Sequence, residues 1–166
     1  MRHPFHFILP VMIAACSLPA LAAPPCKSAN LRLSLDDRDG ELNGMSHAGV
    51  ALSIRNLGPD CSLAAPPTVT LRDARGRSLR ARAKAAPTAN ALLHLGGGHR
   101  AVMVLRWIAG PVFPDSRLVE AAEVRLRFGR FSIGAPLEAR LYGAAGKAVE
   151  FEQGPLRVVE GMAADR

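Results

Sequence analysis

Cysteine is scarce in this chain, with three in 166 residues. That is too few for a disulfide-dense miniprotein or a four-cysteine zinc site. Aromatic residues are only 5%, so a core must be built mainly from Leu, Val, Ile and Ala. No Gly-x-Ser-x-Gly elbow occurs. Ser46 and His47 are adjacent and make no catalytic dyad, because neighbours on a strand point to opposite faces. No apolar run reaches the about 20 residues of a comfortable membrane span. Sustained 3.6-residue periodicity, internal linkers and repeats are also missing. The expectation is one domain that is not an enzyme and needs no cofactor. What the chain has is 49% hydrophobic residues, enough for a packed core, and an excess of 21 Lys and Arg over 14 Asp and Glu.

The first 22 residues read as an address label. Arg2 supplies a positive start, and an apolar stretch from Phe5 to Leu18 is broken only by His6, Pro10 and Ser17. Pro19 ends it just before Ala20-Leu21-Ala22, a small-x-small cleavage pattern. The expectation is a signal peptide, residues 1–22, removed on export to the periplasm or the exterior. Ile13-Ala14-Ala15-Cys16 offers a second outcome, a lipobox with Cys16 as the lipidated N-terminus. Either outcome takes Cys16 out of the thiol count and leaves Cys26 and Cys61 in an oxidising compartment, where two thiols pair. The alternative is two buried free thiols.

After a short extended leader, residues 23–30, the apolar pattern turns short and alternating. Leu31, Leu33 and Leu35 alternate with Arg32 and Ser34. The same period of two runs through Val50 to Ile54, Val69 to Leu71, Val102 to Trp107, Val124 to Phe128 and Leu137 to Leu141, with a last short run at Leu156 to Val158. Period two over four to eight residues signals a half-buried strand. Asp39-Gly40, Asn43-Gly44, Asn56 to Asp60, Gly96-Gly97-Gly98 and Gly143 to Gly146 supply turns between them. The stretch from Leu118 to Arg127 reads as a helical turn running into a strand. The expected fold is all-β: an antiparallel sandwich of about seven to nine strands over residues 31–160, with a tail at 161–166.

Several of these residues together are characteristic. Cys26 precedes a strand, and a Gly-containing loop from Asn43 to Gly49 leads into a strand ending in Asn56. Cys61-Ser62-Leu63, Pro66-Pro67 and a strand running into Asp73-Ala74-Arg75-Gly76 follow. Later, Gly97-Gly98 precedes a strand that reaches Trp107. This pattern resembles the bacterial secreted domain of unknown function 4232, best over residues 26–107. The resemblance implies an immunoglobulin-like sandwich, export, cysteines at both matching positions, and no assigned activity.

Candidate sites divide by chemistry. Met45, His47, His94 and His99, with Met103, carry the soft and imidazole ligands of a copper-handling protein, the alternative function. Asp36, Asp37, Asp39, Glu41 and Asn43 crowd one loop as hard oxygen donors. Gly40 and the lack of a glutamate at position twelve make them a solvated hairpin rather than a calcium loop. Gly96-Gly97-Gly98 precedes a strand, not a helix, and so is a turn rather than a phosphate loop. The main functional hint is residues 72–84, which hold Arg72, Arg75, Arg77, Arg80, Arg82 and Lys84 against Asp73 alone. Arg80, Arg82 and Lys84 alternate with alanines and share a face, which would attract polyanions. The competing account is an edge strand guarded by charge. The expected partner is an anionic envelope component or another envelope protein. Nucleic acid is not expected, since no aromatics interleave the cations.

Overall fold

The computed structural model describes residues 23–84 and 91–159. The signal segment 1–22 with Cys16, and the tail 161–166, lie outside the described residues. Among the described residues there are eleven strands: β1 (Leu31–Asp36), β2 (His47–Asn56), β3 (Cys61–Ala65), β4 (Thr68–Arg72), β5 (Ala81–Ala83), β6 (Ala91–Leu95), β7 (Arg100–Ile108), β8 (Ser116–Phe128), β9 (Phe131–Ala144), β10 (Val149–Gln153) and β11 (Arg157–Val159). The all-β sandwich is as expected. The strand number is higher than expected because several three- to five-residue strands complete the sheets.

The largest sheet runs β1-β2-β7-β10-β5, with β11 beside β7. Strands β3 and β6 form a second sheet, and β4-β8-β9 a third. The large sheet is not wholly antiparallel: β5 and β10 pair in parallel, Arg82 opposite Glu150. The period-two residues meet in the middle. Leu52 and Ile54 of β2, Met103 and Leu105 of β7, and Val149 and Phe151 of β10 pack against Leu63, Leu95, Leu71, Val124, Leu126 and Leu141 of the smaller sheets. Burying such a side chain contributes about 1.5–3 kcal/mol. Gln153 also points into this interior, where its Nε2 donates to the Pro67 carbonyl at 3.0 Å and ties β10 to the β3–β4 turn.

The segment from Leu118 to Arg127 contains no helical turn; it is strand throughout. A bulge shifts the β8–β9 register between Ala121 and Glu123. The extra residue lets Ala121 and Val124, three apart, both face the core. A bulge therefore imitates helical spacing in the sequence.

The leader is not a free lead-in. Cys26 N donates to Ser62 O at 2.9 Å and Ser62 N to Pro24 O at 2.8 Å, so residues 24–26 lie alongside β3. Cys26 and Cys61 are disulfide-bonded, with Cα atoms 4.8 Å apart, and both are buried. The bridge closes a separation of 35 residues that contains β1 and β2. Closing a loop of that length removes about 3–4 kcal/mol of unfolded-chain freedom. Reduction should therefore lower the stability measured by denaturant unfolding by about that amount. An unchanged midpoint after full reduction would contradict the assignment of stability to this loop.

Candidate functional site

Residues 72–84 leave β4, turn through Asp73 to Arg77, and enter β5. The turn is built by one carboxylate. Asp73 Oδ1 accepts from the backbone N–H of Arg75 and of Arg77, each at 2.9 Å, and Oδ2 accepts from Arg77 Nε at 2.8 Å. Gly76 adopts φ +73°, which a glycine takes without steric cost. The Arg77 N–H holds the Asp73 carboxyl below its ordinary range. Partial burial opposes this, and the Arg77 side chain and the Arg75 N–H add to it.

The six cations do not share one environment. Arg72 is half-buried rather than solvated, and its Nε is buried without a hydrogen-bond partner. Arg77 pairs with Asp73 at 2.8 Å. Arg82 meets Glu150 through Nη2 at 2.6 Å and Nε at 3.1 Å, and Lys84 lies 3.8 Å from Glu152. Both glutamates come from β10, whose parallel pairing sets them beside the cations. Arg75 and Arg80 are exposed and have no acidic partner among the described residues. β5 is the outer strand of its sheet, so the guarded-edge account also describes its position.

Beside β5 lies a cleft of about 520 Å³. Arg80, Arg82 and Lys147 line it, together with Phe113, Tyr142 and Glu150. Arg82 arrives on β5 and Arg80 just before it, and Lys147 follows Gly146 in the turn after β9. Val149 N donates to Arg80 O at 2.9 Å, which fixes the two segments side by side. Phe113 comes from the loop before β8. Its backbone N–H donates to Ser116 Oγ at 3.0 Å, and that hydroxyl donates back to the Phe113 carbonyl at 2.8 Å.

The four candidate copper ligands are not brought together. His47 sits opposite Ile108, at the far end of β7 from Arg100. His99 directly precedes Arg100, so nine residues of extended chain, roughly 30 Å, separate the two ends. Met45 lies two residues before His47, while His94 faces Asp60 at 3.7 Å beside the β6–β7 turn. In the acidic loop, Asp36 and Asp37 carboxylates accept from backbone N–H groups of Arg38 and Asp39 and so shape the loop. No group of three or more His, Cys, Asp or Glu side chains that could hold a metal ion assembles among the described residues.

Sequence reading missed a second cationic cluster. Arg32 of β1 stands directly opposite Arg55 of β2, and Arg55 directly opposite Arg100 of β7. The signal was present as one outward arginine in each strand, but only the register shows that they align.

The fold and the buried bridge thus define a disulfide-linked, all-β sandwich domain. The family model described as Domain of unknown function (DUF4232) matches residues 26–157, and the chain belongs to that family. The match extends well beyond residue 107, across the bulged β8 and the strands that follow. Comparison with curated proteins and with solved structures finds no match. No helix of the described residues is long and apolar enough to cross a membrane.

The Asp73 turn carries a pH dependence with a definite sign. A carboxyl whose pKa is lowered by folding adds stability above its ordinary value of about 3.9, and loses that contribution as pH falls through the folded value. The Arg75 and Arg77 amide protons should keep their protection from hydrogen exchange down to about pH 4 and lose it below. Loss of that protection between pH 5 and 7 would contradict the arrangement.

Proposed function

We propose that the protein is an exported module of the bacterial cell envelope that binds rather than catalyses, holding an anionic envelope component at the cleft beside β5. The observation that carries this reading is the meeting of Arg80 and Lys147, both without an acidic partner among the described residues, with the Tyr142 and Phe113 rings in one concave surface. The cations supply attraction to carboxylate, sulfate or phosphate groups. The rings supply an apolar floor for the scaffold that bears them. Export is supported by the residues before Ala23 and by the disulfide, which suits an oxidising compartment.

Edge protection is a second reading with its own observation. β5 ends its sheet, and charges on a short edge strand hinder pairing with another chain. The two readings separate on Glu150. If the cations serve only as a guard, neutralising Glu150 changes no binding. If the cleft binds anions, Glu150→Gln frees Arg82 and strengthens binding.

Titration with dextran sulfate, a soluble polyanion, tests the proposal. Binding is expected at low salt and should fall steeply as salt is added. Arg80→Ser should weaken it about fivefold, since one cation near an anionic surface is worth about 1 kcal/mol. Arg82→Ser should weaken it less, because Glu150 already meets that charge. Absence of binding at low salt, or equal binding by Arg80→Ser, would overturn the reading.

A further inference from the structure

The outer face of the large sheet is electrostatically divided. At one end, cations and acids alternate: Arg82 beside Glu150, Lys84 beside Glu152, and Glu152 opposite Arg106. At the other end, among the described residues, only cations stand. Arg32, Arg55 and Arg100 form a row across β1, β2 and β7, each directly opposite the next. Arg157 of β11 pairs with Val102, two residues from Arg100 and therefore on the same face. All four arginines are exposed. None has an acidic partner among the described residues. Six residues of β7, from Arg100 to Arg106, about 20 Å, separate this row from the matched end.

Like charges directly opposite on a sheet are destabilising. The matched end shows that this same face readily places glutamates beside its cations. Among the described residues the row is therefore a set of guanidinium groups without internal compensation, which an external anion would supply. Arginine forks match phosphate oxygens in pairs.

Two apolar side chains flank the row. Val159 lies directly opposite Arg100 and is 42% exposed. Leu57, two residues beyond Arg55, is 57% exposed, and its N–H donates to Asn30 O at 2.7 Å, which holds it alongside the row. Four cations beside exposed Leu and Val side chains fit a surface that is anionic outside and apolar just beneath. That is the chemistry of a phospholipid headgroup layer.

We infer that the Arg32–Arg55–Arg100 row, with Arg157, Leu57 and Val159, is a membrane-docking face that seats the domain on anionic phospholipid headgroups. It uses different residues from the cleft at Arg80, on the opposite end of the sheet, so either assignment can fail alone.

Co-sedimentation with lipid vesicles tests it, using the protein as isolated from its own host. Phosphatidylglycerol-containing vesicles should bind it at low salt, and pure phosphatidylcholine vesicles much less. The double variant Arg55→Ser/Arg100→Ser should lose about tenfold or more of the partitioning, at about 1 kcal/mol per arginine. Arg80→Ser should reduce it less than the row variants do. Far-ultraviolet circular dichroism checks the fold of each variant. Should the double variant misfold, the single change Arg157→Glu, on the three-residue β11, should reduce partitioning in the same way. Equal binding to both vesicle types would overturn the inference. So would loss with Arg80→Ser but not with the row variants, or a row that affects dextran sulfate binding but not vesicle binding.

Discussion

The buried amide of Asn56 is the constraint on which the arrangement depends. The residue is 0% exposed, at the end of β2 where three segments meet. Its Nδ2 donates to Pro59 O at 2.8 Å and Leu95 O at 3.1 Å, with Gly96 O at 3.3 Å sharing a proton, and its Oδ1 accepts from Gly58 N at 3.0 Å. Its backbone donates to His99 O and accepts from Gly98 N. One side chain thus satisfies the turn after β2 and the end of β6, and the same residue's backbone holds the start of β7. A buried polar group left without such partners costs about 1–3 kcal/mol, so the geometry around Asn56 has little freedom. Gly58 fits for a related reason: a Cβ there would run into the Asn30 side chain.

Pinning that corner fixes register, and register decides where charge goes. Leu31 lies opposite Asn56, so the next pair is Arg32 with Arg55, and the third strand brings Arg100. A slip by one residue would turn these arginines inward and Leu31 and Ile54 outward. The apolar faces therefore enforce an alignment that the charges resist. At the opposite end the parallel β5–β10 pairing does the reverse and sets glutamates beside cations. A net basic chain thus becomes a sheet face with one neutralised end and one cationic end.

The sequence makes much of this legible and withholds the rest for physical reasons. Strands β1, β2, β4, β7 and β9 show as alternation because each has one face in the core and one in solvent. β10 alternates too, Val149 and Phe151 inward against Glu150 and Glu152 outward, but it is only five residues long. β6 carries little alternation, since Leu92 is exposed and Leu93 half-buried on the same strand that buries Leu95. The bulge in β8 disguises strand as helix. The cysteine pair is readable because only two thiols remain once Cys16 is set aside. The basic segment is readable as composition, but the acids that meet Arg82 and Lys84 lie 68 residues further along the chain. The arginine row is invisible to any local window, because each strand contributes one residue. Long-range register is the information that a linear pattern does not contain.

The central claim is that the fold holds the arginine row against its own repulsion. The stability of Arg55→Ser relative to the natural chain, followed by denaturant unfolding across salt concentrations, tests it directly. Arg55 has an arginine on either side, and like charges directly opposite on a sheet are destabilising. Removing it should make the domain more stable at low salt, and the gain should vanish as salt screens the repulsion. A destabilised Arg55→Ser, with a loss indifferent to salt, would mean that the arginine is a packing element and that the row carries no stored repulsion.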